Sequence, residues 1–146
     1  MVRRLFTIGY EGINIETFVS ILKSHSIQCL IDVREIPLSR KPGFSKSALS
    51  EHLNRDNITY VHFKELGSPK QIRNELRATK DYYKFFLAMD TYLALKQKVV
   101  EQAYEYLLNS ISCLMCFERA AETCHRKIVA KKIKETDGNG LQIVNI

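Results

Sequence analysis

The chain has 146 residues, a mass of 16.9 kDa and a formal net charge of +6 at pH 7, a length that suits one domain and excludes an enzyme built from separate cofactor and substrate modules. Apolar residues at 45% and charged residues at 26% are globular proportions and exclude wholesale disorder. The absence of any apolar run near the roughly eighteen residues of a membrane span, the lack of a signal-peptide pattern at the amino end, and a core that needs none of the four cysteines as staples lead us to expect a cytoplasmic protein with free thiols.

Short apolar runs alternate with amphipathic stretches, which predicts strand–helix repetition. Residues 5–9 read as a strand. Asn14 can cap the helix that follows, with Glu16 in its first turn and Phe18, Val19 and Leu22 as its apolar stripe. The nearly continuous apolar run 29–33 predicts a strand covered on both faces. Pro37 and Pro42-Gly43 make 34–44 a loop. Ser45 can cap a helix carrying Ala48, Leu49 and Leu53, and 58–63 reads as a third strand. The polar stretch 67–79, with Pro69, predicts a long loop or a loop holding a frail helix. Residues 82–89 and 94–108 read as helices, and 111–117 as a central strand. Thr123 can cap a basic helix running to about Lys134, with Ile128, Val129 and Ile133 facing inward. A turn at 137–140 and a last strand at 141–144 complete an α/β domain spanning 1–146, with a central, mostly parallel sheet of about five strands flanked by helices.

Ligands of open parallel sheets bind beyond the carboxyl ends of the strands, and the sequence repeatedly places polar residues there. Gly9, Tyr10 and Gly12 follow the first strand. Asp32, Arg34, Ser39 and Arg40 follow the second, and Cys116, Glu118 and Arg119 the fourth; Cys124, His125 and Arg126 open the next helix. Asp32 and Arg34 share a strand face, so the carboxylate either positions the guanidinium or serves as a base. Ser39 and Arg40 offer a hydroxyl and a guanidinium fork to a phosphate or carboxylate. Gly9 and Gly12 let backbone approach a ligand, although no dinucleotide fingerprint or Walker loop occurs. Cys113 and Cys116 lie three apart on a strand and face opposite sides, which argues against a zinc knuckle. Cys113 and Cys29 read as core thiols. Cys124, at the start of a helix beside His125 and Arg126, has thiolate character and is a candidate nucleophile together with Cys116. The spacing of Cys116, Glu118, Cys124 and His125 is irregular for zinc, so no metal is assigned.

The pI near 9.2 points to an anionic partner, either a small molecule or nucleic acid. The charge gathers in two places. Arg34, Arg40, Lys41 and Lys46 stand against Glu35; Arg119, Arg126, Lys127, Lys131, Lys132 and Lys134 stand against Glu122. Both segments read either as solvated surface or as phosphate-neutralising patches.

Several ordered blocks carry a family resemblance: Thr7-Ile8-Gly9-Tyr10; Leu30-Ile31-Asp32-Val33-Arg34 with Pro37; Ser39-Arg40; Pro42-Gly43-Phe44-Ser45-Lys46 with Leu49 and Leu53; Ile58-Thr59-Tyr60; Leu66-Gly67; Leu114-Met115-Cys116-Phe117-Glu118; and Cys124-His125-Arg126. In these the chain resembles the DUF488 family, from residue 6 to about 130. Ser68 stands where members often carry a second glycine. The resemblance implies a single α/β domain and rim motifs that belong to one site, without a substrate. A second likeness, of Leu30-Ile31-Asp32-Val33-Arg34-Glu35 to the Asp-Val-Arg segment of rhodanese sulfurtransferases, gives Cys116 a loosely analogous place. However, Phe117, Glu118, Ala120 and Ala121 replace the glycine- and arginine-rich cradle expected there. Glu122 stands where cysteine phosphatases place an arginine.

The leading expectation is an enzyme acting on a phosphate-containing substrate, a nucleotide or nucleic acid. In it Arg34, Arg40 and Arg126 hold anionic oxygens, Glu118 or Asp32 is the base, and Cys116 or Cys124 the nucleophile. The alternatives are a non-catalytic nucleic-acid-binding module that uses the basic helix, sulfur or phosphoryl transfer through a cysteine, and a structural partner protein. The sequence names no cofactor and no oligomeric state.

Overall fold

Five strands form one sheet in the computed structural model, which describes residues 3–146. They are β1 (Arg4–Gly9), β2 (Cys29–Asp32), β3 (Thr59–His62), β4 (Ser112–Cys116) and β5 (Gln142–Asn145), in the order β3-β2-β4-β1-β5. All four neighbouring pairs are parallel, with Asp32 opposite Met115 and Gly9 opposite Cys116 at the carboxyl edge.

The sheet is covered on both faces. Helices α1 (Ile15–Ser24) and α2 (Lys46–Arg55) bring Phe18, Val19, Leu22, Leu49 and Leu53 against one face, where Phe6, Ile8, Leu30, Cys113 and Met115 meet them. The other face takes Leu5, Ile31, Leu114 and Cys116 against α4 (Tyr82–Ala94), α5 (Gln97–Asn109) and α6 (Arg126–Asp137). The period-two alternation of β4 is thus divided between two cores, as its unbroken apolar run requires. Each fully buried leucine or phenylalanine contributes about 1.5–3 kcal/mol. Among the described residues no helix is long and apolar enough to cross a membrane.

Local signals place the elements. Asn14 Oδ1 accepts the Thr17 amide at 2.8 Å and starts α1; Asp81 accepts the Lys84 amide at 3.1 Å and starts α4. Gly138, at φ 63°, ends α6 in the left-handed region that glycine adopts freely.

Four expectations need correction. The stretch expected to be a loop or frail helix contains a full ten-residue helix, α3 (Lys70–Thr79). None of its residues is buried, and only Ile72 and Leu76, four apart on one face, lean on the core; the helix is amphipathic, but so polar overall that the stretch after Pro69 reads as a loop. The next two helices divide at Leu95 and Lys96 rather than before residue 94. Thr123 does not cap α6. It lies in a 3₁₀ turn (Ala121–Thr123), its hydroxyl bonds the Ala120 carbonyl at 3.3 Å, and α6 starts at Arg126. Ser45 precedes α2 but makes no side-chain cap; its Oγ instead accepts the Ser39 amide at 3.0 Å and donates to the Ser39 carbonyl at 3.1 Å, closing the 39–45 loop.

Candidate functional site

The exit of β2 is built around a dry ion pair. Asp32 is fully buried and accepts Arg34 Nε at 2.9 Å, Arg34 Nη2 at 2.7 Å, the Arg34 amide at 3.0 Å and the Tyr60 hydroxyl at 2.6 Å. Its lone pairs are spent on these donors, so Asp32 orients Arg34 and does not line the cleft. Arg34 Nη1 reaches on to the Phe44 carbonyl at 2.7 Å and the Tyr10 hydroxyl at 3.2 Å. Burial opposes the charge on Arg34, but the Asp32 carboxylate more than offsets this and raises its pKa. Burial, and then the nearby Asp32 charge, push the Tyr60 phenol up as well. Tyr10 stacks on Phe44 with ring centroids 4.4 Å apart.

The exit of β4 folds back on β1. A Cβ on Gly9 would overlap the Glu118 carbonyl oxygen, so only glycine lets the 117–119 turn sit against β1. Arg126, 1% exposed, secures that turn from behind. Its Nη2 donates to the Arg119 carbonyl at 3.0 Å, its Nη1 to the Glu118 carbonyl and, at 3.0 Å, to Cys116 Sγ, and its Nε to Thr7 Oγ1 at 3.3 Å. Arg126 is therefore a structural clamp and a neighbour of the thiol, placed away from the cleft.

Cys116 and Cys124 bring their sulfurs into contact from Cα atoms 7.8 Å apart. His125 lies beside them, buried, with Nε2 2.7 Å from the Val33 carbonyl and Nδ1 3.7 Å from Cys124 Sγ. Burial lowers the pKa of His125, despite the hydrogen bond to Val33 and the charge of Glu118. The other two cysteines are spectators: burial pushes Cys29 up to about 11 and Cys113 higher still, which keeps both protonated.

Between the two exits lies a cleft of about 490 Å³, bordered by Tyr10, Arg34, Ser39, Cys116, Glu118 and His125 and, from α3, by Arg73 and Arg77. A second cavity of about 290 Å³ adjoins it and adds Lys80 and Tyr82. Sequence reasoning brought Tyr10, Arg34, Ser39, Cys116, Glu118 and His125 to this rim, and all six border the cleft. Asp32, Gly9, Cys124 and Arg126 stand behind its wall, and Arg40 is exposed outside it. The α3 cations were missed. Their spacing at 73, 77 and 80, one helical face, is the signal available once that stretch is taken as a helix. Arg73 is fixed by Glu35 Oε1 at 2.8 Å and by the Ser68 carbonyl; the Arg77 side chain has no ion-pair partner among the described residues.

An all-parallel sheet, helices on both faces and a polar cleft at the strand carboxyl ends define a parallel α/β protein of the open-sheet class. Within that class the chain belongs to the DUF488 family: the model for this domain of unknown function matches residues 14–133. Comparison with curated proteins and with solved structures returns no match.

Proposed function

We propose that the protein is an enzyme that acts on a phosphate-containing substrate, a nucleotide or a nucleic-acid terminus, bound in the rim cleft. The observation that carries this reading is the meeting of Arg34, Arg73 and Arg77 with Glu118 in one cavity. Arg34 and Arg73 are held in place by carboxylates, Arg34 with a single Nη2 hydrogen left over from its bonds to Asp32, Tyr10 and Phe44, and the guanidinium fork of Arg77, which has no ion-pair partner among the described residues, matches phosphate oxygens. Ser39 adds a hydroxyl at the same border. Glu118 serves as the base. It takes the proton of an attacking water as that oxygen bonds to phosphorus, the bond from phosphorus to the leaving oxygen breaks, and the leaving oxygen gains a proton from solvent. Cys116 is less suited to nucleophilic attack, because its sulfur faces Cys124 and the Arg126 guanidinium rather than open cleft.

Titration calorimetry with pyrophosphate and a nucleoside triphosphate, alongside a phosphate-release assay, tests the reading. Arg73→Gln with Arg77→Gln should weaken binding by roughly 10- to 100-fold, the cost of charged hydrogen bonds. Glu118→Gln should bind at least as well and lose turnover. Equal binding by the double variant would overturn the assignment.

One observation favours a second reading, a nucleic-acid-binding surface. Lys127, Lys131 and Lys134 are exposed and border a shared surface cavity of about 300 Å³ on α6, away from the rim cleft.

A further inference from the structure

We propose that Cys116, Cys124 and His125 form a binding site for a thiophilic divalent metal ion of the zinc class, with its fourth coordination position open to the cleft beside Glu118. The inference stands on the donor set itself and does not depend on the phosphate reading.

Two sulfurs and one imidazole nitrogen lie within 4.8 Å of one another, and all three side chains are buried. Soft sulfur donors with one imidazole select zinc and its neighbours over magnesium or calcium. The Cα separation of 7.8 Å exceeds the roughly 4.4–6.8 Å that a disulfide spans, yet both side chains turn toward the same point. That placement suits two thiolates on one ion better than two sulfurs bonded to each other.

His125 supports this independently. Its Nε2 lies 2.7 Å from the Val33 carbonyl, a distance at which the nitrogen carries the proton and donates it. The lone pair of the neutral ring is then on Nδ1, which faces Cys124 Sγ at 3.7 Å. A ligating histidine ordinarily has its second nitrogen fixed in this way by a carbonyl or carboxylate.

Arg126 fixes Cys116 from behind. Its buried guanidinium donates to Cys116 Sγ at 3.0 Å as well as to the Glu118 and Arg119 carbonyls, which holds the sulfur in place at the end of β4.

Adjacent cysteine and histidine side chains normally diverge. Here the backbone passes from extended at Cys124 (ψ 144°) to helical at His125 (ψ −22°), and both turn the same way. This is why the spacing matches no short metal motif. Cys116 and His125 border the cleft while Cys124 lies behind, so three protein ligands leave a position facing the cavity, the arrangement of catalytic rather than structural zinc. Glu118 Oε2, 3.6 Å from Cys116 Sγ, is placed to accept a proton from a water at that position.

The test is metal analysis of the full chain purified under reducing conditions, followed by chelation and titration with Co²⁺. The expected result is about one zinc per chain and, with cobalt, a thiolate-to-metal charge-transfer band together with the visible bands of tetrahedral coordination. Cys124→Ser should weaken cobalt binding by on the order of 100-fold or more. His125→Cys should keep binding with a stronger charge-transfer band. Cys29→Ala with Cys113→Ala should retain the full signal. Reduced wild-type protein that gives no cobalt bands overturns the site. So do bands that survive Cys124→Ser, or bands lost in a folded Cys29→Ala and Cys113→Ala variant. If Cys124→Ser does not fold, the wild-type stoichiometry and the double cysteine variant decide the question. Because the readout is spectroscopic, the outcome is separate from the pyrophosphate binding that tests the proposed function.

Discussion

A single buried carboxylate sets the position of the cleft's innermost cation. Asp32 takes bonds from Arg34 and Tyr60, and Arg34 in turn ties Tyr10 and the Phe44 carbonyl to β2. Asp32→Asn leaves a guanidinium that is 7% exposed without its counter-charge. The expected loss is about 3–5 kcal/mol in urea unfolding, because breaking one side of a buried pair strands the other. Tyr60→Phe, which removes one donor and no charge, should cost far less. A small effect of Asp32→Asn would mean that water reaches the pair. From the sequence, the two residues could be placed on one strand face, and that much of their relation was legible. Their dryness was not, because it comes from the 39–45 loop and Tyr10 folding over them, contacts made far along the chain. Arg126 illustrates the same limit. Its charge and neighbours suggested a ligand for anions, whereas burial behind the 117–119 turn makes it a clamp.

Among the secondary-structure elements, α6 and β5 are joined by a clasp with a defined pH response. Asp137, at the end of α6, accepts the Tyr104 hydroxyl of α5 at 2.7 Å and the amides of Asn139 and Leu141 at 2.9 and 3.1 Å. The Tyr104 bond is the main reason its carboxyl is held below the ordinary value of 3.8, with the two amides adding to the effect against burial. A depressed carboxyl binds fewer protons folded than unfolded, so the clasp stabilises above the ordinary carboxylate value and is lost as pH falls through the lower, folded one. Tyr104→Phe should cost about 1 kcal/mol at neutral pH. Guanidinium unfolding at a series of pH values should show the difference from wild type shrinking below pH 3.8, the ordinary value for this carboxyl. A difference that is constant across that range would assign the loss to packing. The other elements show what pattern alone could convey. Strands β2 and β4 are buried on both faces, and their apolar runs marked them plainly. Helix α3 buries nothing and left only a polar stretch with cations at 73, 77 and 80, so two of the cleft's three arginines were invisible until the helix was seen.

Taken whole, the molecule carries a net charge of +6, and α6 contributes exposed lysines to it. Asp90 pairs with Lys132 at 3.0 Å and with Lys131 at 3.6 Å, and Lys127, Lys131 and Lys134 stand exposed along α6. Replacing these three with glutamine should leave the thermal midpoint almost unchanged, since exposed charges contribute little to stability. If the surface contacts nucleic acid, gel-shift titrations at two salt concentrations should show a salt slope reduced by up to about three contacts, with affinity lowered evenly across sequences. An unchanged slope would remove the second functional reading and leave the charge as a means of steering small anions toward the cleft. The doubly buried runs at 29–33 and 111–117 fit the order in which β2 lies beside β4, and that order brings their exits together.

Gly9 is held against the Glu118 carbonyl, and a Cβ on Gly67 would likewise overlap the backbone of Glu35. The wall that carries Glu118 and the loop that carries Glu35 therefore each rest on a position where hydrogen is the only side chain that fits. Helix α3, opposite, contributes its cations from a surface with no fully buried residue. The scaffold thus separates what must be inherited intact from what is open to revision. If the cleft takes an anion as proposed, rewriting that one helix would change which anion fits, whereas the walls around it stand only while two positions keep a hydrogen for a side chain.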